Sequence, residues 1–351
     1  MARTIAALHA PSLPSVPPRL PRWVIPTAGT VVLVVAAVVL FLHRGRLADS
    51  VGLIKDANIS YVWLAAVAFL GSLVASASAW RTTLAGCGSR VSRVDACARY
   101  GVGSLFNSFL PARVGDAARI TLFSRTLPAG GGVLFVAAGA LVAIEIAHVA
   151  VQAVLLGLVS VVYTLPLVPV LVLAAGSATL VATAAVLRRR LEHTRVRRLL
   201  DGVDALLRDP RRAVRLLGWQ LVETGCRVGA AAAVAASVGV HSPLTVAFVV
   251  IAAVDIAGLL PFTPGNVGVT SAAVALALER AGAGPNAAIA CGLVFYGVQT
   301  LVGVTYGLVS TALVACEAAS VAARRRLRFA VAGTGVLVGA ASGAALVPVL
   351  S

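Results

Sequence analysis

Arg113, Asp116 and Arg119 recur every third residue in FNSFLPARVGDAAR, the stretch from Phe106 to Arg119. Pro111 ends one helix there, and the three charges open the next on adjacent parts of one face. Two guanidiniums reinforced by a helix N-terminus make an anion receptor, and Asp116 is placed to pair with either arginine and hold it. The plainer alternative is a salt-bridge cluster at the membrane interface that only anchors the segment.

A second interruption, PFTPGNVG from Pro261 to Gly268, is almost uncharged. Pro264 and Gly265 suit a tight turn, and free N–H groups at the helix start near Gly268 bind an anion without a charged side chain. Thr263, Asn266, Thr270 and Ser271 add hydrogen-bonding capacity.

Few other ionisable residues fall inside apolar runs: Glu145 with His148, Glu223 with Arg227, and Asp255. The i, i+3 spacing lets Glu145 and His148 share a proton, and the i, i+4 spacing lets Glu223 and Arg227 neutralise one another on one helix face. Glu145 and Asp255 are candidates for ion coupling, with helix–helix hydrogen bonding as the alternative. The five cysteines form no CxxC pair and have no histidine at ligand spacing, so neither a metal site nor a disulfide is expected. No GxxxxGK[ST] loop occurs, and no cofactor is expected.

These residues need elements that hold them inside a bilayer, and the composition supplies them. The 351 residues are 59% hydrophobic and 12% charged, the balance of an integral membrane protein. The net charge of +16 does not indicate nucleic acid, because the basic residues are confined to segments between apolar runs. With about 20 apolar residues per span, spanning helices are predicted over 23 to 42, 61 to 84, 131 to 162, 167 to 187, 213 to 238, 286 to 315 and 328 to 350. The Pro-rich residues 1 to 22 form a disordered tail, and the run after it remains as a signal anchor. The two interrupted segments, 95 to 127 and 243 to 283, are read as re-entrant.

With the N-terminus in the cytoplasm, the inner side carries 24 of the 29 basic residues. The order of helix, broken segment, helix, helix then occurs twice, over 61 to 187 and 213 to 350, with opposite orientation. Such inverted repeats place two half-helix tips near the midplane, where a transport site forms. Simple Pro and Gly kinks in ordinary membrane helices are the alternative. The whole of 23 to 351 reads as one transmembrane domain, with 188 to 212 a cytoplasmic linker. Within it, residues 191 to 208 gather Val196, Leu199, Leu200 and Val203 on one helical face, which suits an anionic lipid surface; a solvated basic linker is the alternative.

The motifs LPARVGDAAR and LPFTPGNVGV resemble those of the lysylphosphatidylglycerol synthase transmembrane region, a flippase-like family. Asn107, Pro111, Arg113, Gly115, Asp116 and Arg119 fit its first motif in full. Pro261, Pro264, Gly265 and Gly268 fit the second, while Asn266 replaces a glycine and Ser271 stands where an acid is common. After the first motif the family often carries Glu-Arg; here Ile146 follows Glu145. The resemblance implies an all-α, polytopic membrane fold and a lipid substrate met by these motif residues. It does not imply synthase activity, because the bifunctional members add a soluble aminoacyl-transfer domain and this chain ends soon after its last helix.

Two functions are therefore set against each other. One is a flippase of the bacterial inner membrane that moves a polar, anionic lipid head group through a cavity between the repeats. The other is a membrane-embedded enzyme acting on a lipid phosphate or lipid-linked sugar, with Asp116, Glu145 and Asp255 as acid/base groups. No closely spaced acidic pair, nucleophile motif or metal motif supports the second.

Overall fold

The structure is a computed structural model that describes residues 57–110, 114–128, 132–163, 208–258 and 268–318. The tail, the predicted spans 23–42, 167–187 and 328–350, and most of the linker 188–212 lie outside the described residues. Within them the chain is all-α, with eight helices and no strand. They are α1 (Ile59–Ala85), α2 (Arg93–Phe109), α3 (Val114–Ser124), α4 (Val133–Tyr163), α5 (Pro210–Ser237), α6 (Pro243–Gly258), α7 (Val269–Arg280) and α8 (Pro285–Ala318).

Helix starts follow local chemistry. Ser92 accepts from the backbone N–H of Asp95 at 3.1 Å, and its hydroxyl donates to the Asp95 carboxylate at 2.7 Å, closing a reciprocal cap on α2. Asp209 accepts from the Arg211 N–H at 3.1 Å, and Pro210 takes the first helical position of α5, where its missing N–H costs nothing. That cap starts α5 at Pro210, so the last residues assigned from sequence to the linker belong to the helix instead.

α1, α4 and α8 contain stretches long and apolar enough to cross a membrane. α5 matches them in length at 28 residues, but carries Glu223 and Arg227 in its middle. On α1, Leu64, Val67, Leu70 and Val74 form an exposed stripe, the surface a membrane helix turns toward lipid. Its hydroxyls turn inward to the backbone: Ser72, Ser76 and Thr83 donate to carbonyls three or four residues back, which removes bare donors from an apolar setting.

α1 and α5 run antiparallel along their whole length. The N–H of Asn58 reaches the Ser237 carbonyl at 3.1 Å, and a Cβ added at Gly71 would lie 3.2 Å from the Cys226 sulfur. Trp80 and Leu216 share one apolar cluster at the opposite end. Around this central pair, two separate apolar clusters form. One joins the C-terminal half of α1 to α2, α3 and α4, and its Trp80 and Phe123 rings stack at 4.7 Å between centroids. The other joins the N-terminal half of α1 to α5, α6, α7 and α8, with Phe69 and Phe295 edge to face at 5.1 Å. Each cluster thus surrounds one broken segment, and polar residues gather between them.

Candidate functional site

The first break is a tight helical hairpin, and its residues explain one another. A Cβ at Gly115 would run into the Gly103 carbonyl oxygen and the Asn107 side chain, so only glycine lets α2 and α3 approach this closely. Asn107 then spans the gap: its Oδ1 accepts from the Gly115 N–H at 2.7 Å, filling an open donor in the first turn of α3. Its Nδ2 lies 3.4 Å from the Asp116 carboxylate.

Asp116 in turn fixes Arg119. The guanidinium Nη1 donates to Asp116 at 2.7 Å, Nη2 to Ser104 Oγ at 2.9 Å and Nε to the Tyr100 carbonyl at 3.4 Å. The group also lies 3.9 Å above the Tyr100 ring, a cation–π contact. Of the two pairings open to Asp116, the structure contains the one with Arg119. Pro111 and Arg113 lie outside the described residues, as do Pro261, Pro264, Gly265 and Asn266 of the second motif. Gly268 caps α7 with φ of 79°, a conformation natural to glycine, and the Ser271 hydroxyl donates to its carbonyl at 3.1 Å.

Between the two apolar clusters lies a cavity of about 340 Å³. The first break supplies Ser104, Asn107, Ser108 and Arg119; α4 supplies Glu145, His148 and Gln152; α5 and α6 supply Arg227 and Asp255. Thr270 enters from the second break, and Tyr296, Gln299 and Thr300 from α8. Seven residues singled out from sequence, Asn107, Arg119, Glu145, His148, Arg227, Asp255 and Thr270, therefore share one chamber. Asp116 sits behind Arg119, while Gly268 and Ser271 lie beside the chamber next to Thr270.

The ion pairs differ from those the spacing suggested. Arg227 pairs with Asp255 of α6, through Nη1 at 3.2 Å to Oδ2 and through Nη2 to Oδ1, rather than with Glu223 on its own helix. His148 Nε2 lies 3.2 Å from Asp255 Oδ2, so its carboxylate partner is Asp255 rather than Glu145. The reason is direction: three helices cross here, and side chains at their crossing meet a neighbour before they meet their own next turn. Both Asp255 oxygens are thereby engaged.

His148 Nδ1 lies 3.2 Å from the Gln220 amide. The atom facing Nδ1 is the amide oxygen Oε1, so a ring protonated at Nδ1 donates to Gln220 while Nε2 faces Asp255. The buried Gln220 Nε2 has no partner among the described residues. Gln152 is 3% exposed, lines the cavity, and its Nε2 has no protein acceptor among the described residues.

Gln152, Gln220 and Thr224 were not singled out from sequence. Their signal was a polar stripe at helical period, Glu145-His148-Gln152 on α4 and Gln220-Thr224-Arg227 on α5. Among the described residues no group of three His, Cys, Asp or Glu side chains is placed to hold a metal ion.

Residues 27–307 match the family model described as the lysylphosphatidylglycerol synthase TM region. No curated protein matches the sequence.

Proposed function

The chain belongs to the lysylphosphatidylglycerol synthase TM-region family, and from that membership we propose that it is a lipid transporter, moving a polar, anionic head group between leaflets through the central cavity. The observation that carries this reading is the cavity itself. It lies between two apolar clusters, and is lined by an arginine from a broken helix on one side and by a buried Arg–Asp–His group on the other. Polar groups at that depth in a membrane bundle are costly and usually serve a substrate path.

In this reading Arg119 receives the phosphate. Asp116, Ser104 and Tyr100 hold three of its N–H directions, leaving the remaining donors for the ligand. Arg227, neutralised by Asp255, contributes donors without a second bare charge, so a substrate meets attraction weak enough to leave again. α1–α4 and α5–α8 act as two repeats of opposite orientation. The antiparallel course of α1 and α5 and the allotment of one cluster to each break support that pairing. The polybasic ends face the cytoplasm of a bacterial inner membrane by the charge count.

The test is head-group accessibility in proteoliposomes. Fluorescently labelled phosphatidylglycerol should move from the inner leaflet to a membrane-impermeant quencher faster with the protein than without it. Labelled phosphatidylcholine should move more slowly. No acceleration for any anionic lipid would overturn the reading. Conversion of the lipid to a new species, seen by mass spectrometry, would replace it with the embedded-enzyme alternative.

A further inference from the structure

A second cleft, of about 870 Å³, opens where α1 ends, α2 begins and α5 begins. Among the described residues it shares no lining residue with the central cavity. Among the described residues five arginines line it, Arg81, Arg90, Arg93, Arg212 and Arg215, and no carboxylate does. Two of them are occupied: Arg81 Nε donates to the Val91 carbonyl at 2.9 Å, and Arg212 pairs with Asp209 at 3.0 Å. Arg90, Arg93 and Arg215 are exposed and make no hydrogen bond or ion pair with the described residues. Like charges gathered around one concavity repel unless an anion enters.

The cleft also has an apolar side. Ala85, Val91, Trp219 and Val222 contribute to its walls. Beside it on α5, Val214, Leu217 and Leu221 are 68%, 43% and 51% exposed, and their spacing puts them along one face of the helix. Guanidiniums at the end of the bundle, an indole at the same level and an apolar strip running into the span match the three parts of a phospholipid: phosphate, interface and acyl chain. A soluble anion needs only the first of these.

We propose that this cleft binds the phosphodiester head group of an anionic phospholipid, as a second lipid site separate from the central cavity. Arg90, Arg93 and Arg215 contact the phosphate oxygens, and the α5 strip receives an acyl chain. Arginine suits this task because its planar fork meets two phosphate oxygens at once. Basic pockets between membrane helices hold acidic lipids by the same arrangement. This reading stands or falls independently of transport.

The experiment uses the purified full chain in a nonionic detergent, titrated with phosphatidylglycerol and followed by native mass spectrometry. The R90Q/R93Q/R215Q variant should bind phosphatidylglycerol about tenfold or more weakly than the unmodified chain, whereas phosphatidylcholine should bind both equally. Inorganic phosphate at the same concentration should not displace the lipid. In an R119Q background, which alters the central cavity alone, the difference between cleft-intact and cleft-mutated chains should persist. Should the triple variant fail to fold, Arg93→Glu, at one exposed position, should weaken binding in the same direction. Equal phosphatidylglycerol affinity with and without the cleft arginines would overturn the proposal. Displacement by inorganic phosphate would overturn the lipid assignment in favour of a soluble anion.

Discussion

Arg227 on α5 and Asp255 on α6 meet as a two-pronged ion pair at the wall of the central cavity, with His148 of α4 against the same carboxylate. The pair ties three helices together, and it explains how α5 keeps an arginine at mid-length inside an apolar bundle.

Removing one partner alone leaves the other charge buried and uncompensated. Arg227→Ala and Asp255→Ala should each destabilise the folded protein by about 3 kcal/mol or more, whereas the double variant R227M/D255L should lose less than the two singles added together. Thermal unfolding in detergent, read for all three variants, measures the coupling. Strictly additive losses would show that the two residues act separately.

Gly115 has no room for a side chain between the Gly103 carbonyl and Asn107. Gly115→Ala should therefore spread α2 from α3, at a cost of about 1–3 kcal/mol, and slow transport by displacing Arg119. Asn107→Ala removes an acceptor for the Gly115 N–H and should act in the same direction. A Gly115→Ala protein with the melting temperature and flux of the parent would mean that the hairpin is looser than described.

Arg119→Lys keeps the charge but cannot reproduce three separately directed N–H contacts and the stacking over Tyr100. It should lower flux of labelled phosphatidylglycerol about tenfold while the protein remains folded by circular dichroism. Flux equal to the parent would reduce the role of Arg119 to that of a simple point charge.

The proposed opposite orientation of the two halves is open to chemical labelling. Ser108→Cys and Thr263→Cys, each in a cysteine-free background, should react with a membrane-impermeant thiol reagent from opposite sides. Reaction of both from one side under all conditions would leave two kinked helices and no inverted pair.

The membrane class, the positions of the described helices and the two breaks were legible in the sequence. Hydropathy, proline, glycine and capping residues act locally along the chain: Ser92 and Asp209 cap helices through residues two or three positions away, and Pro210 starts one. The first motif was legible for a related reason, since Asn107, Gly115, Asp116 and Arg119 lie within one hairpin and contact one another there. The cavity was not. Spacing on one helix pairs Glu145 with His148 and Glu223 with Arg227, whereas the fold joins His148 and Arg227 to Asp255, 107 and 28 residues away along the chain. Which neighbour a buried side chain meets is set by how α4, α5 and α6 cross, and that crossing depends on the packing of whole apolar faces. The tertiary structure alone therefore decided that Asp255 neutralises an arginine, that the buried Gln152 lines the chamber, and that Arg119 and Arg227 line a common space.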